Sequence, residues 1–429
     1  METYDVAVIG GGPAGLQAAV SAAKAGAEKI LILERDRELG GILNQCIHAG
    51  FGLIWFKEEL TGPEYASRFI DQVKKLIAAG KIHIRLRTFV LRITPDLRLY
   101  LMSKSSGPEF VKARALIMAT GCRERTRGAI RIPGTRPAGI FTAGTVQRLV
   151  NMEGYLPGRR VVIVGSGDVG LIMARRLRLE GLEVLGVAEI YPYPGGLTRN
   201  IAQCLDDYDI PLWLSTTVTE IRGSQRVSEV VTSRVGGDLK PLPGTEKALP
   251  CDTLLLSAGL IPENELLRAA DLHVDFSPAT GGPKVNECLM TSMPGIFACG
   301  NNLHVHDLVD NVSLEADTAG KSAAMFSAGN FLPAARIKLT AGPGVRYCLP
   351  SFIPSGEADL LGRREIPVYL RVDRPMQEAE LTVSNSAAVL IRRKLPLARP
   401  GEMLSFRIDP SALGSGSGIV VSVQEKPHT

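Results

Sequence analysis

The chain has 429 residues, 45% of them apolar, and a formal net charge of +5. This length fits two or three domains with substantial cores, while the small charge and the two Trp give no footprint of a nucleic-acid binder. Seven Cys stand singly at positions 46, 122, 204, 251, 288, 299 and 348 with no CxxC, which argues against a disulfide framework, a zinc site or a Cys-ligated iron–sulfur cluster in this chain; no metal is expected. Reduced thiols suit a reducing compartment. No apolar run is long enough to span a bilayer, and an acidic start running into a glycine cluster is not a signal peptide. The expectation is a cytoplasmic protein with no direct membrane span.

Residues 6–9 form an apolar run without polar alternation, which suits a strand buried on both faces of a parallel sheet. An Ala-rich helix over 14–25 and a second strand over 29–33 complete a βαβ unit. The pattern returns at 160–164, 169–180 and 183–188. Beyond it come a strand at 253–257, a stretch 294–300 ending in Gly300, and a helix over about 312–327. After Phe331 the texture changes to short strands (366–372, 380–383, 388–391, 403–408) separated by Pro, Gly and Asn-Ser. The expected division is a first domain over 1–122 resumed at 259–333, an inserted domain over 123–258, and a small, mostly β domain over 340–429. Residues 333–344 read as a linker, and the Gly-Ser tract 414–418 as a loop.

Gly10-Gly11-Gly12-Pro13-Ala14-Gly15 sits between the first strand and helix. Gly10 permits the tight turn, Gly12 lets the backbone approach a pyrophosphate, and Gly15 allows close helix–strand packing. The helix N-terminus offers free N–H groups to phosphate. Glu34, 19 residues beyond Gly15, suits a carboxylate accepting from ribose hydroxyls. Gly165-Ser166-Gly167-Asp168-Val169-Gly170 repeats the fingerprint, with Glu189 again 19 residues on. A carboxylate there accepts from a 2′-hydroxyl and repels a 2′-phosphate, and Ile190, Tyr191 and Pro192 supply no Arg, so NAD(H) is favoured over NADP(H). Two fingerprints imply two dinucleotides.

At these motifs the sequence resembles the two-dinucleotide-binding-domain flavoproteins, the glutathione-reductase-like group. The resemblance covers about residues 1–330. It implies an α/β fold of two Rossmann-like domains, the NAD domain inserted in the FAD domain. FAD would lie at the first motif with Gly41, and NAD(H) at the second. Ala119-Thr120-Gly121 looks like the group's second FAD signature, with Gly259 ending the later strand, and Gly300-Asn301 like the signature that touches the ribityl chain. The group has Asp where Asn301 stands, so the hydrogen bond persists without the charge. Hydride transfer between nicotinamide and flavin needs orientation and a tuned flavin rather than an acid–base side chain.

Residues 40–48, 56–66, 121–125 and 191–197 look like the small FAD/NAD-dependent subunits that accompany glycerol-3-phosphate dehydrogenase-like flavoproteins. That resemblance implies partners: a second flavoprotein dehydrogenase subunit and a small iron–sulfur protein. A stand-alone NADH oxidase or NADH:acceptor reductase, and a non-catalytic docking subunit, are the alternative classes. Disulfide reductases of the broad group carry two Cys four residues apart after the Gly-Gly; here only Cys46 is present, which speaks against a dithiol relay. Cys46 and His48 read either as a flavin-tuning, proton-handling pair or as loop packing. His306 and Asp307 precede the helix whose N-terminal dipole would face the flavin pyrimidine; they either assist there or, with Asp310, begin and cap the helix. Arg123 and Arg125 read as phosphate or partner contacts or as solvated surface. The C-terminal domain, judged to have limited room for a private core, reads as a docking module with Arg392-Arg393-Lys394 near the contact, or as a passive lid.

Overall fold

A computed structural model describes residues 2–269, 272–330, 336–354, 361–413 and 418–425. They form two compact units, residues 1–122 with 262–429, and residues 123–261.

The first unit opens with β1 (Thr3–Ile9), α1 (Pro13–Lys24) and β2 (Ile30–Leu33), the last reading ILIL and buried throughout. Buried residues from Ala14 to Ala23 make α1 a core helix, and small side chains let it lie flat on the sheet. Next come α2 (Gly62–Ala78), closed at its start by a Thr61–Glu64 capping box, and β3 (Ile82–Arg85). An antiparallel meander of β4 (Thr88–Ile93), β5 (Arg98–Ser103) and β6 (Gly107–Met118) follows. The first half of β6 pairs with β5; its second half runs parallel to β1. The sheet order is β3-β2-β1-β6-β5-β4. Because β1 is flanked by β2 on one side and by the distant β6 on the other, the order reverses at the carboxyl end of β1, where open α/β sheets bind ligands.

The second unit has a parallel sheet of five strands, β7 (Ile140–Thr142), β8 (Arg160–Val164), β9 (Glu183–Ala188), β10 (Leu212–Trp213) and, later in the chain, β14 (Thr253–Leu256). Helix α3 (Asp168–Leu179) links β8 to β9. A three-stranded antiparallel sheet of β11 (Thr216–Gly223), β12 (Val227–Arg234) and β13 (Lys247–Pro250) precedes β14 (Thr253–Leu256). The parallel order is β7-β14-β8-β9-β10.

The chain then returns to the first unit. β15 (Ile296–Ala298) pairs with the carboxyl half of β6, and α4 (Val309–Ser327) packs on α1. The approach is close enough that a Cβ on Gly320 would lie 2.2 Å from the Ala18 carbonyl. Helix α4 begins at Val309, three residues earlier than the periodicity predicts. Its N-cap is Leu308, with no side-chain cap, so neither Asp307 nor Asp310 caps it.

The C-terminal strands begin at Arg336, ahead of the predicted domain start at Thr340 and inside the predicted linker; alternating burial in β16 (Arg336–Ala341) gives the reason. β17 (Val345–Leu349), β18 (Phe352–Pro354), β19 (Ile366–Val372), β20 (Met376–Ser384), β21 (Val389–Ala398), β22 (Leu404–Ile408) and β23 (Ile419–Glu425) complete two sheets, β18-β16-β23-β20-β21 and β17-β19-β22. Between them lie nineteen buried apolar residues, among them Val368, Leu370, Leu381, Val383 and Val421. This is a private core, against expectation: two sheets facing each other enclose an interior that isolated short strands do not suggest. Residues 333–335 of the predicted linker and 414–417 of the Gly-Ser tract lie outside the described residues. Among the described residues no helix is long and apolar enough to cross a membrane.

Candidate active site

Gly10 has φ +113°, and a Cβ there would lie 2.2 Å from the Ala119 carbonyl, so only glycine fits where β1 turns beside the end of β6. A Cβ on Gly15 would lie 1.8 Å from the Gly10 carbonyl, which sets the helix–strand contact. Gly12, by contrast, has open space: the nearest atom to its Cβ position is Gly41 Cα, 3.9 Å away. No side chain caps the N-terminus of α1, leaving its N–H groups and positive end for an anion. Glu34 is buried; its Oε2 accepts from Gly11 N at 2.7 Å and its Oε1 from Asp36 N at 2.7 Å. Gly300 closes another side, where a Cβ would lie 2.9 Å from Ala14 Cβ. Thr120 Oγ1 donates to the Glu263 carbonyl at 2.6 Å, and Gly121, with the 120s loop, follows the end of β6. Gly10, Gly12, Pro13, Ala14, Gly15, Glu34, Gly41, Ala119, Gly300 and Asn301 thus gather at one end of one sheet. The glycine cradle, the uncapped helix and the buried carboxylate fit the pyrophosphate and ribose of FAD.

The second unit repeats this geometry. Gly165 has φ +90°, with Ser257 O 2.3 Å from its Cβ position. Gly170 packs on Ser257, whose Oγ accepts from Gly170 N at 3.1 Å. Glu189 is buried, its Oε2 accepting from Ser166 N at 2.9 Å and Ser166 Oγ at 2.6 Å, and its Oε1 from Tyr191 N at 3.0 Å. Gly167 caps α3 without a side-chain bond. Asp168 Oδ1 accepts from Leu197 N at 2.8 Å and Asn200 Nδ2 at 2.6 Å, and Val169 packs on the core under α3. The Gly259 carbonyl accepts from Arg125 N at 3.0 Å; the Arg123 and Arg125 side chains are exposed.

The candidate chemical residues divide. Cys46 is a thiol whose Sγ donates to the Ile42 carbonyl at 3.3 Å, and burial pushes it up to about 12. It is protonated at neutral pH and a poor nucleophile. All seven cysteines are thiols, none joined in a disulfide. His48 is half-buried, with Nδ1 3.1 Å from Ala49 O and its ring 4.9 Å from Phe51.

His306 lies in a buried cluster. Its Nε2 is 3.2 Å from Glu315 Oε1, and His304 Nε2 is 3.0 Å from Glu315 Oε2. Gly300 N also donates to Glu315 Oε1, at 2.6 Å. Burial alone would raise the Glu315 carboxyl, but the His306 and His304 imidazoles outweigh it and hold it at about 2. Burial pushes His304 down to about 4, and His306 adds to the effect. Asn301 Oδ1 accepts from His306 N at 3.0 Å. Asp307 is engaged elsewhere, paired with Arg371 on β19 and accepting from Met403 N at 2.7 Å. Asp310 accepts from Gly52 N at 3.1 Å and Trp55 N at 2.8 Å. His304, His306 and Glu315 form the one trio of possible metal ligands within 4.8 Å among the described residues. Each imidazole places its Nε2 within hydrogen-bond distance of one Glu315 oxygen, and His306 Nδ1 is buried without a hydrogen-bond partner among the described residues. Sequence reasoning singled out His306 and missed Glu315, Tyr347 and Arg371; the His-x-His pair ahead of a helix carrying one Glu was the available signal.

The profile of the family "Pyridine nucleotide-disulphide oxidoreductase" matches residues 4–322. An opine oxidase subunit of Agrobacterium tumefaciens (strain Ach5) is 26% identical over 322 residues, which cover 70% of this chain and 61% of that protein. Hydrogen cyanide synthase subunit HcnB of Pseudomonas aeruginosa is 25% identical over 287 residues, 63% of this chain and 60% of that protein. The matches thus span about three-fifths of these relatives' length. The thioredoxin reductase structure from T. acidophilum shares the fold, with a TM-score of 0.59 at 24% identity over 77% of this chain and 99% of that one. From the match over residues 4–322 and the two dinucleotide cradles, the chain belongs to the pyridine nucleotide-disulphide oxidoreductase family, which binds FAD and NAD(P)H.

Proposed function

We propose that this chain passes hydride between NADH and FAD as one subunit of a multi-component dehydrogenase, delivering or collecting electrons without a dithiol relay. The observation that carries this is the cysteine chemistry: the one thiol after the Gly40-Gly41 turn is held protonated, and none of the seven cysteines is in a disulfide. FAD supplies the two-electron chemistry. The protein's own residues bind and orient: Gly12 and the α1 N-terminus hold pyrophosphate, Glu34 and Glu189 take ribose hydroxyls, and Gly300-Asn301 faces the ribityl chain.

The opine oxidase and hydrogen cyanide synthase relatives are themselves called subunits, which supports an assembly. The stretches 40–48, 56–66, 121–125 and 191–197 support the glycerol-3-phosphate dehydrogenase type, with a second flavoprotein and a small iron–sulfur protein as partners. Docking is assigned to the C-terminal domain, where Arg392, Arg393 and Lys394 are exposed on β21.

Stopped-flow reduction tests the core of the proposal. NADH should bleach the flavin at least about tenfold more efficiently than NADPH, because a buried carboxylate at Glu189 opposes a 2′-phosphate. Equal efficiencies, or no bleaching, would refute it. The isolated chain should leave glycerol 3-phosphate unoxidised and gain that activity only with its partners.

A further inference from the structure

Three side chains that hydride transfer leaves unused converge beside the Gly300-Asn301 turn. His304 Nε2 lies 3.0 Å from Glu315 Oε2, His306 Nε2 lies 3.2 Å from Glu315 Oε1, and the two ring centres are 4.1 Å apart. The side chains of His304, His306 and Glu315 are 0%, 1% and 3% exposed. One ligand atom from each lies within 4.8 Å of the others. Two donors held at about 2.0–2.1 Å by one tetrahedral ion stand roughly 3.3 Å apart, so the observed gaps need only a slight opening to admit one.

The carboxylate supplies the reason to expect an ion. Charges taken out of water are paired or coordinate metals. Among the described residues no Lys or Arg pairs with Glu315; its ion-pair partners are the two imidazoles. Burial pushes His304 down to about 4, so that ring brings no positive charge at neutral pH. Arg371 is taken by Asp307. Gly300 N donates to Glu315 Oε1 at 2.6 Å, but an ionised carboxylate has about four acceptor sites, so both oxygens keep a lone pair.

We propose that His304, His306 and Glu315 bind one zinc ion as a structural site that pins the Gly300-Asn301 turn to α4. Two imidazole nitrogens and both oxygens of Glu315 make four donor atoms, the number a closed structural zinc takes. None is a cysteine sulfur, so the site differs from the Cys-ligated zinc that the sequence argues against. In the metal-bound state each neutral ring carries its proton on Nδ1 and turns the Nε2 lone pair to the ion. For His304 that proton has an acceptor, the Tyr347 hydroxyl oxygen at 3.5 Å, which also accepts from Arg371 Nε at 3.1 Å. His306 Nδ1 has no hydrogen-bond partner among the described residues, whichever nitrogen is protonated, and so favours neither state. The backbone anchors both rings: His306 N donates to Asn301 Oδ1 at 3.0 Å and His304 N to the Gly300 carbonyl at 3.3 Å. Because the ligands are closed off from solvent, the ion enters as the chain folds and leaves only when it opens. Zinc has no redox chemistry, so it takes no part in the electron path and its presence is independent of the nicotinamide reading.

The test is elemental analysis of the FAD-loaded full chain, expressed in zinc-supplemented medium and dialysed against EDTA. About one zinc per chain should survive the dialysis. Zinc far below the flavin content overturns the proposal. Glu315→Gln keeps an acceptor for Gly300 N and removes the charge, so its zinc content should fall at least about tenfold while FAD is retained. Equal zinc in the variant and wild type also overturns it, because the ion then sits elsewhere. If the variant fails to fold, zinc-edge X-ray absorption of wild type decides. Imidazole and oxygen scatterers at about 2.0–2.2 Å without sulfur support the site; a sulfur shell at about 2.3 Å puts the ion on cysteine and sinks it. Neither measurement uses NADH, so failure of the nicotinamide reading and failure of the zinc site are separable.

Discussion

At the scale of single residues, the two dinucleotide cradles are built alike. Each has a glycine whose Cβ position is filled by a neighbouring carbonyl, Ala119 for Gly10 and Ser257 for Gly165, and a buried glutamate held by its own motif's backbone. Since an ionised carboxylate offers about four acceptor sites, Glu34 and Glu189 can take a ribose hydroxyl without giving up these bonds. Two substitutions separate binding from folding. Gly12→Val should keep native circular dichroism, given the open space at its Cβ position, yet purify without flavin absorbance; Gly10→Val should fail to fold. Glu189→Gln keeps an acceptor for Ser166 N and removes the charge, so the NADH-over-NADPH ratio should drop by about tenfold in steady-state kcat/KM. The glycines and both glutamates were legible in the sequence because their requirement is local: a strand, a tight turn and a helix within about 30 residues. The Glu315 cluster was not, because its members come from a loop, a helix and β strands of the C-terminal domain. That cluster also sets an acid limit. His304 is pushed down to about 4 and Glu315 to about 2, so the unfolded chain binds more protons than the folded one below the ordinary imidazole range. Stability contributed by His304 is complete above pH 6.5 and is lost as pH falls toward 4; that of Glu315 is complete above 4.5 and is lost toward 2. Urea midpoints should fall steadily below about pH 6.5, and His304→Gln should flatten the upper part of that fall.

At the scale of elements, the start of α4 carries the most information. The preference of Asp for helix starts makes Asp310 a candidate cap in the sequence. In the structure it sits inside the first turn and reaches back to Gly52 N and Trp55 N, tying down the segment that follows Cys46 and His48. A residue's capping propensity is short-range, and a partner some 250 positions away is invisible to it. Asp310→Ala should cost about 2–3 kcal/mol, the size of hydrogen bonds to a charged group, and should raise amide exchange in residues 49–56 before it affects the rest of the domain. Unchanged exchange there would mean the loop is held by its other contacts. Among strands, β8, β9 and β19 lie where apolar runs place them, whereas β16, β17, β18 and β23 were not foreseen. They are partly exposed, so their pairing partners define them more than their own residues do.

At the scale of the whole molecule, the C-terminal strands are both a domain with its own core and part of the first unit. Tyr347 and Leu349 lie in the core of that unit, and Arg371 holds Asp307. A truncation near Ala334 would strip these contacts together with any docking surface, so it cannot isolate docking. Reversing the three exposed charges, Arg392→Glu, Arg393→Glu and Lys394→Glu, can: flavin content and melting temperature should stay within a few degrees of wild type, while co-purification with partner subunits is lost. Retained assembly would place docking elsewhere. The inserted second unit has a further consequence, for synthesis. Ser21 on α1 bonds Asp317 on α4 across 296 residues, and β6 pairs with β15 only after the whole insert has been made. Residues 123–261 emerge from the ribosome as a complete unit while the flavin domain still lacks its last strand and helix. The nicotinamide domain is thus free to fold first, and the flavin cradle, with its high contact order, closes last. FAD capture is then a late event in the life of each chain, and a nascent chain stalled before α4 should remain colourless.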